Sequence, residues 1–301
     1  MYFSKRNFRL SVFVLAVSLW IGLSPVHAQE LYLDGEKAMK NMDELKLVQF
    51  TVSFMTSEYK SASTQSRTNF NGAKSALRVV TTGLTQELMQ KIADDAYADF
   101  KAKAEANGFT LSDFDVKENL PKYLVETFPK TGNFMENCDH YQVYGDISSI
   151  TVSANGEPCL CNLNLGLSGY AAKESGTQPI SVSYLLGSGY LAANAKVTKN
   201  TFMNEVYNKT NVTFYPGLQV WWRSGIDIWQ TKSKKGEIKI NEHIYREGPA
   251  GELVMEDKTE LMTYSRASMN LKVDPNKYYT DAMAVLQEAN DKLIAAMVKA
   301  R

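Results

Sequence analysis

Three cysteines and a histidine, Cys138, His140, Cys159 and Cys161, have the residue types and spacing for two different chemistries. In an oxidising compartment, Cys138 bridged to Cys159 or Cys161 closes a loop of about 21 to 23 residues, which is worth roughly 3 kcal/mol in chain entropy. The odd number leaves one thiol over. The same spacing has a second reading, because on paired strands Cys138 and His140 share one face, as do Cys159 and Cys161. Three sulfurs and one imidazole would suit zinc or copper(I). A Cys-x-Cys pattern is not the usual Cys-x-x-Cys knuckle, so the disulfide is the expected state and the metal site its alternative.

Only His140 and His243 remain beyond position 28, so any histidine-dependent catalysis must use one of them. His243 lies near a strand start, four residues before Glu247, and reads as a half-exposed strand residue. No Gly-x-Ser-x-Gly elbow, His-Glu-x-x-His helix, Walker loop or dinucleotide fingerprint occurs. The sequence therefore leans away from an enzyme and implies no cofactor, with a hydrolase-like site on one histidine as the alternative.

The richest binding surface surrounds Arg223-Ser224-Gly225. If that stretch is a three-residue hairpin turn, Trp222 faces Ile226 and Val220 faces Ile228, making an apolar core face. The opposite face then carries Gln219, Trp221, Arg223, Asp227 and Trp229, with the indoles of Trp221 and Trp229 diagonal neighbours about 7 Å apart. Two indoles beside amide, carboxylate and guanidinium groups make a platform for a sugar ring or an aromatic peptide.

The elements that must position these groups follow from periodicity. Val48, Phe50, Val52 and Phe54 alternate with Gln49, Thr51 and Ser53, which predicts a half-buried strand. Residues 57–76, rich in Ser, Thr, Asn and Gly, read as a loop, and 77–81 as an extended piece. From Leu84 the apolar residues recur every four positions through Phe100, predicting a helix of about 22 residues that stops at Asn107-Gly108. Short strands are expected over 111–116, 123–125 and 141–147. After about residue 150 the pattern is nearly all strand and turn, with strands at 218–222, 226–230, 237–240, 242–246 and 253–256 reading as an antiparallel meander. Asp274 as cap, Pro275 in the first turn and basic residues Lys299 and Arg301 at the end frame a last helix. Its strip of Tyr279, Met283, Leu286, Leu293 and Met297 predicts docking on a sheet. The expected class is α+β: an α+β unit over 29–150, a β-rich unit over 151–272 and a docked helix over 273–301, with 29–301 as one domain the alternative.

The strand, long helix and strand order between 48 and 147 is similar in layout to the small α/β modules of bacterial envelope proteins such as the TolB N-terminal domain and the curli secretion lipoprotein. No functional residue is carried over from that similarity.

Residues 1–28 have the form of a cleavable secretory signal, with basic Lys5, Arg6 and Arg9, an apolar run from Ser11 to Leu23, and a small-residue exit at Val26-His27-Ala28. The apolar run of about 13 residues is short of the roughly 20 that span a bilayer. The expected mature chain begins at Gln29, works in the periplasm or outside the cell, and has no integral membrane span. Its net charge of −3 and lack of a basic stripe exclude the footprint of a nucleic-acid binder. Together these features predict a non-enzymatic envelope or secreted protein that binds or assembles with another envelope component through its β-rich half.

Overall fold

The computed structural model describes residues 31–34, 40, 42–64, 73–119, 134–136, 147–157, 159, 178–200, 205–222, 224–229, 236–261 and 264–301. In chain order the elements are β1 (Leu31–Asp34), β2 (Glu44–Ser63), β3 (Lys74–Thr82), α1 (Gln86–Ala106), β4 (Thr110–Asp113), the single helical turn α2 (Val116–Asn119), β5 (Phe134–Glu136) and β6 (Ile147–Ser153). They continue with β7 (Gln178–Asn200), β8 (Glu205–Val220), β9 (Gly225–Ile228), β10 (Gly236–Ile240), β11 (Ile244–Glu247), β12 (Gly251–Leu261), β13 (Tyr264–Val273) and α3 (Pro275–Ala300). All thirteen described strands join one mixed sheet, whose main path runs β1-β10-β9-β7-β2-β3-β13-β12. Residues 31–301 form a compact unit. Strands from both sides of position 150 lie next to each other in this sheet, since β2 pairs parallel with β7 and β3 parallel with β13.

Local signals set both long helices. Thr85 caps α1 by accepting the Leu88 N–H at 3.2 Å, and Gly108 at φ +82 turns the chain out of its last turn. Asp274 caps α3 by accepting the Lys277 N–H at 2.9 Å, with Pro275 directly after it. Burying Met89, Ile92, Ala96 and Phe100 of α1 and Leu286, Leu293 and Met297 of α3 against Phe50, Val52, Val182 and Tyr184 builds the main core. The C-terminal helix docks on the sheet, as its apolar strip requires. A buried polar link ties the layers together: the Tyr184 hydroxyl donates to Asn290 Oδ1, and Asn290 Nδ2 donates to Ala96 O at 3.0 Å and Asp99 Oδ2 at 2.7 Å. A second, smaller core of Leu77, Val79, Leu191, Phe214 and Ala267 lies where the β7–β8 hairpin covers β3 and β13.

Several expectations need correction. β2 spans 20 residues, and over 47–55 both of its faces are buried. Its polar alternates are enclosed because they meet polar partners from β6, as in the Ser53 Oγ to Thr151 Oγ1 bond of 2.8 Å. The stretch read as a loop over 57–76 supplies the paired ends of β2 and β3, from Ser57 opposite Val80 to Ser63 opposite Lys74. Residues 65–72 of that stretch lie outside the described residues, while Ser57 accepts from Arg78 Nε and Ser75 donates to Asn194 O across strands, so these serines do not break them. Residues 123–125 lie outside the described residues, and the strand expected over 111–116 ends at Asp113, with α2 starting at Val116.

The expected meander holds only in part: β9 and β10 pair antiparallel, with Ile226 opposite Ile238, but the neighbouring pairs on either side of them do not form. β8 and β9 do not pair with each other. Both run antiparallel to β7, Val220 opposite Leu186 and Ile226 opposite Val182, so β8 and β9 run in the same direction. Ser224 makes this arrangement stable. Its buried Oγ accepts the Leu185 N–H at 3.0 Å, where the interruption would otherwise leave that ladder donor unpaired. β11 likewise bonds to β8 and not to its sequence neighbour β10.

Candidate functional site

The indole platform does not form as the hairpin reading requires. The Trp221 N–H donates to Leu185 O and the Trp229 N–H to Pro179 O. Those acceptors are six residues apart on β7, so the two tryptophans are separated by about 20 Å at a rise of roughly 3.3 Å per residue. Trp229 is buried, as is Gln219, whose Nε2 donates to Gly189 O. Asp227 is held in an ion pair with Lys239 at 3.1 Å. Arg223 lies outside the described residues. Trp221 meets His243 edge to face at 5.2 Å between centroids, and its Nε1 sits so near Gly187 that a Cβ there would be 2.6 Å away. Partial burial of the His243 imidazole lowers its pKa. Trp222, assigned to the core by the hairpin reading, instead borders an open hollow of about 480 Å³ with Tyr32, Glu237 and Asn241.

Cys159 is buried, and its Sγ contacts Thr151 O at 3.6 Å. Cys138, His140 and Cys161 lie outside the described residues. Among the described residues no group of three His, Cys, Asp or Glu side chains is placed to hold a metal ion. No helix among them is long and apolar enough to cross a membrane.

A different site arises from the topology of β2. On one edge of this strand β4 runs beside residues 44–47 and ends at Asp113, while β6 runs beside 51–58 and ends at Ser153. Val48, Gln49 and Phe50 are left between the two strand ends. The opposite edge bonds to β7 with a bulge between Leu47 and Gln49. Strand ends that leave a gap in a sheet create a crevice lined by loops, a usual place for ligands in α/β architecture. Here the crevice has a volume of about 200 Å³, floored by residues 47–50 and walled by Tyr97, Asp113, Phe114, Asp115, Ser153, Asn155 and Glu157.

Helix α1 fixes both walls. Tyr97 donates its hydroxyl to Asp113 Oδ1 at 2.6 Å, and Lys101 Nζ lies 3.6 Å from Asp113 Oδ2. Burial, and then the Asp113 carboxylate, hold the Tyr97 phenol well above its ordinary pKa, so it remains a donor. On the other side Gln90 Nε2 donates to Asp94 Oδ1 at 2.7 Å and to Ser153 O at 3.1 Å. Asp94 also accepts the Asn155 N–H at 2.7 Å, holding Asn155 in a left-handed conformation at φ 57. Asn tolerates that region better than other residues with a side chain. This bend carries Glu157 over the crevice.

Three oxygens of the crevice are buried and have no hydrogen-bond partner among the described residues: Gln49 Oε1, Ser153 Oγ and Glu157 Oε2. Gln49 and Ser153 are almost wholly enclosed, at 8% and 1% exposure. Each such oxygen costs about 1–3 kcal/mol relative to a bonded one. Three in one crevice, beside the carboxylates of Asp113 and Asp115, give a wall dominated by acceptors. In sequence Gln49 and Ser153 read as the polar half of strand alternation, and nothing in the pattern joins them to Asp113 or Glu157. Comparison with models of known protein families finds no match to this chain, and comparison with curated proteins finds no relative.

Proposed function

We propose that the chain is an exported binding component of the cell envelope that holds a small polar molecule, rich in hydrogen-bond donors, in the crevice between β4 and β6. The presence in one crevice of Gln49 Oε1, Ser153 Oγ and Glu157 Oε2, all buried and without a partner among the described residues, carries this reading. An amino sugar or the ammonium end of an amino compound supplies what the wall lacks, namely N–H and O–H donors and positive charge facing Asp113, Asp115 and Glu157. The volume of about 200 Å³ suits a monosaccharide-sized group and lies below the range typical of drug-sized ligands. Export is supported by the form of residues 1–28 and by the envelope-like layout of 48–147. The lack of a recognised catalytic signature favours binding over turnover.

The test is thermal-shift titration of the mature chain with glucosamine, glucose and ethylamine as probes. Saturable stabilisation by glucosamine or ethylamine that disappears in Glu157→Gln and in Gln49→Met supports the crevice. No stabilisation by any of the three, or stabilisation unchanged in both variants, overturns it.

A further inference from the structure

We propose a second binding site, on the outer face of the β2–β3–β13 strands, for a tetrahedral oxyanion such as a phosphate or sulfate group. On this face Arg78 stands in register with Tyr59 of β2 and Ser268 of β13, and Arg266 lies two residues before Ser268. The two guanidinium side chains therefore rise from adjacent strands as diagonal neighbours, their Cα atoms about 8 Å apart by strand spacing and rise. Ser57 lies opposite Ser148 of β6. These residues surround a hollow of about 280 Å³ lined by Ser57, Tyr59, Arg78, Ser148 and Arg266.

Three features point to an anion. Neighbouring like charges on a sheet are destabilising, yet among the described residues neither Arg78 nor Arg266 forms an ion pair with a carboxylate. Asp257 sits opposite Ser268, whose Oγ donates to Glu256 Oε2 at 3.4 Å, and neither carboxylate is paired with these guanidinium groups among the described residues. Arg78 is also held in place beside the hollow that it lines, because its Nε donates to Ser57 Oγ at 3.3 Å. Finally, the donors come from several directions: two guanidinium groups, the hydroxyls of Ser57 and Ser148, and the phenol of Tyr59. A planar carboxylate offers two oxygens to such a set. A phosphate or sulfate group offers three or four, and arginine forks match them in bidentate pairs. This site is independent of the crevice between β4 and β6, so either can fail without the other.

The experiment is calorimetric titration of the mature chain at low ionic strength with inorganic phosphate, inorganic sulfate and acetate. Expected are saturable binding of phosphate and sulfate, mutual displacement of the two, and acetate weaker by about tenfold or more. Arg78→Ala and Arg266→Ala each weaken phosphate by at least about tenfold, and Arg78→Lys weakens it severalfold because charge is kept and the fork is lost. Unchanged melting curves in these surface variants show that the fold is intact. Sedimentation with vesicles of phosphatidic acid in phosphatidylcholine then separates the sources of the group. Arginine-dependent sedimentation identifies a lipid headgroup as the bearer, and phosphate binding without sedimentation identifies a soluble phosphate. Absence of saturable phosphate and sulfate binding, or binding that is unchanged in both alanine variants, overturns the proposal.

Discussion

Replacing Ser153 by alanine should stabilise this protein, the reverse of what removing a buried hydroxyl usually does. Ser153 is 1% exposed and its Oγ has no partner among the described residues, while Thr151, two residues earlier on the same face of β6, bonds Ser53 at 2.8 Å. A hydroxyl enclosed without a hydrogen bond costs about 1–3 kcal/mol in protein mutational series. Ser153→Ala removes that cost and forfeits only the contacts of one small atom, so a gain of about 1 kcal/mol is expected. Thr151→Val, nearly the same shape, removes the Ser53–Thr151 hydrogen bond and should lose about 1 kcal/mol. Urea titration of the mature chain measures both, as opposite shifts of the midpoint at constant slope. Gln49→Met should move with Ser153→Ala. If Ser153→Ala instead destabilises by as much as Thr151→Val, its hydroxyl is bonded in solution and the acceptor-rich crevice is not a binding site.

Glu58 faces the small core beside Val79, and burial raises its pKa to about 8, with Lys60 opposing. The folded protein then binds one more proton than the unfolded chain between the ordinary carboxyl value of 4.5 and about 8. Stability contributed by this group therefore falls as pH rises through that window and is level above it. Glu58→Gln should flatten the slope in pH-dependent denaturation, and an unchanged slope refutes the assignment. Leu286→Ala and Leu293→Ala, both fully enclosed between α3 and the sheet, should each cost about 2–5 kcal/mol by urea titration. Costs below about 1 kcal/mol would show a loosely docked helix. Alkylation in denaturant should label one thiol without reductant and three with it, whereas three labelled without reductant rule out a disulfide. Intact mass of the protein from its native host should match a chain starting at Gln29, and a mass that includes Lys5, Arg6 and Arg9 refutes cleavage.

Features encoded within a few residues were readable from sequence. The cap at Asp274, Pro275 after it, and the apolar strip through Leu286 and Leu293 are local, and each has its structural counterpart in α3. Pairing partners were not readable, because they depend on residues far away in the chain. Arg223-Ser224-Gly225 has good turn chemistry, but Ser224 uses its hydroxyl to bridge an interruption opposite Leu185, and so the Trp221 and Trp229 platform does not form. β7 gave no distinct signal within a region that was strand-like throughout. The crevice is harder still to foresee. Alternation correctly marks Gln49 as polar and on the face away from Phe50, yet polarity in a strand ordinarily means solvent, and only the positions of β4 and β6 show that this glutamine is enclosed. Asp113, Asn155 and Glu157 belong to loops whose convergence has no counterpart in spacing.

The parallel pairing of β3 with β13 also bears on how the chain is made. Thr82 waits for Lys272, and Ala96 on α1 waits for Asn290, 194 positions later. The early helix α1 cannot cover its apolar side until the last helix has been synthesised. Contacts this distant in sequence form late and slowly. A nascent chain of this design has no finished core until α3 has been made. The same delay leaves Ile92, Phe100 and the interior of β2 uncovered during synthesis. Incomplete chains with exposed apolar surface are prone to aggregate, so that hazard lasts until the final helix arrives.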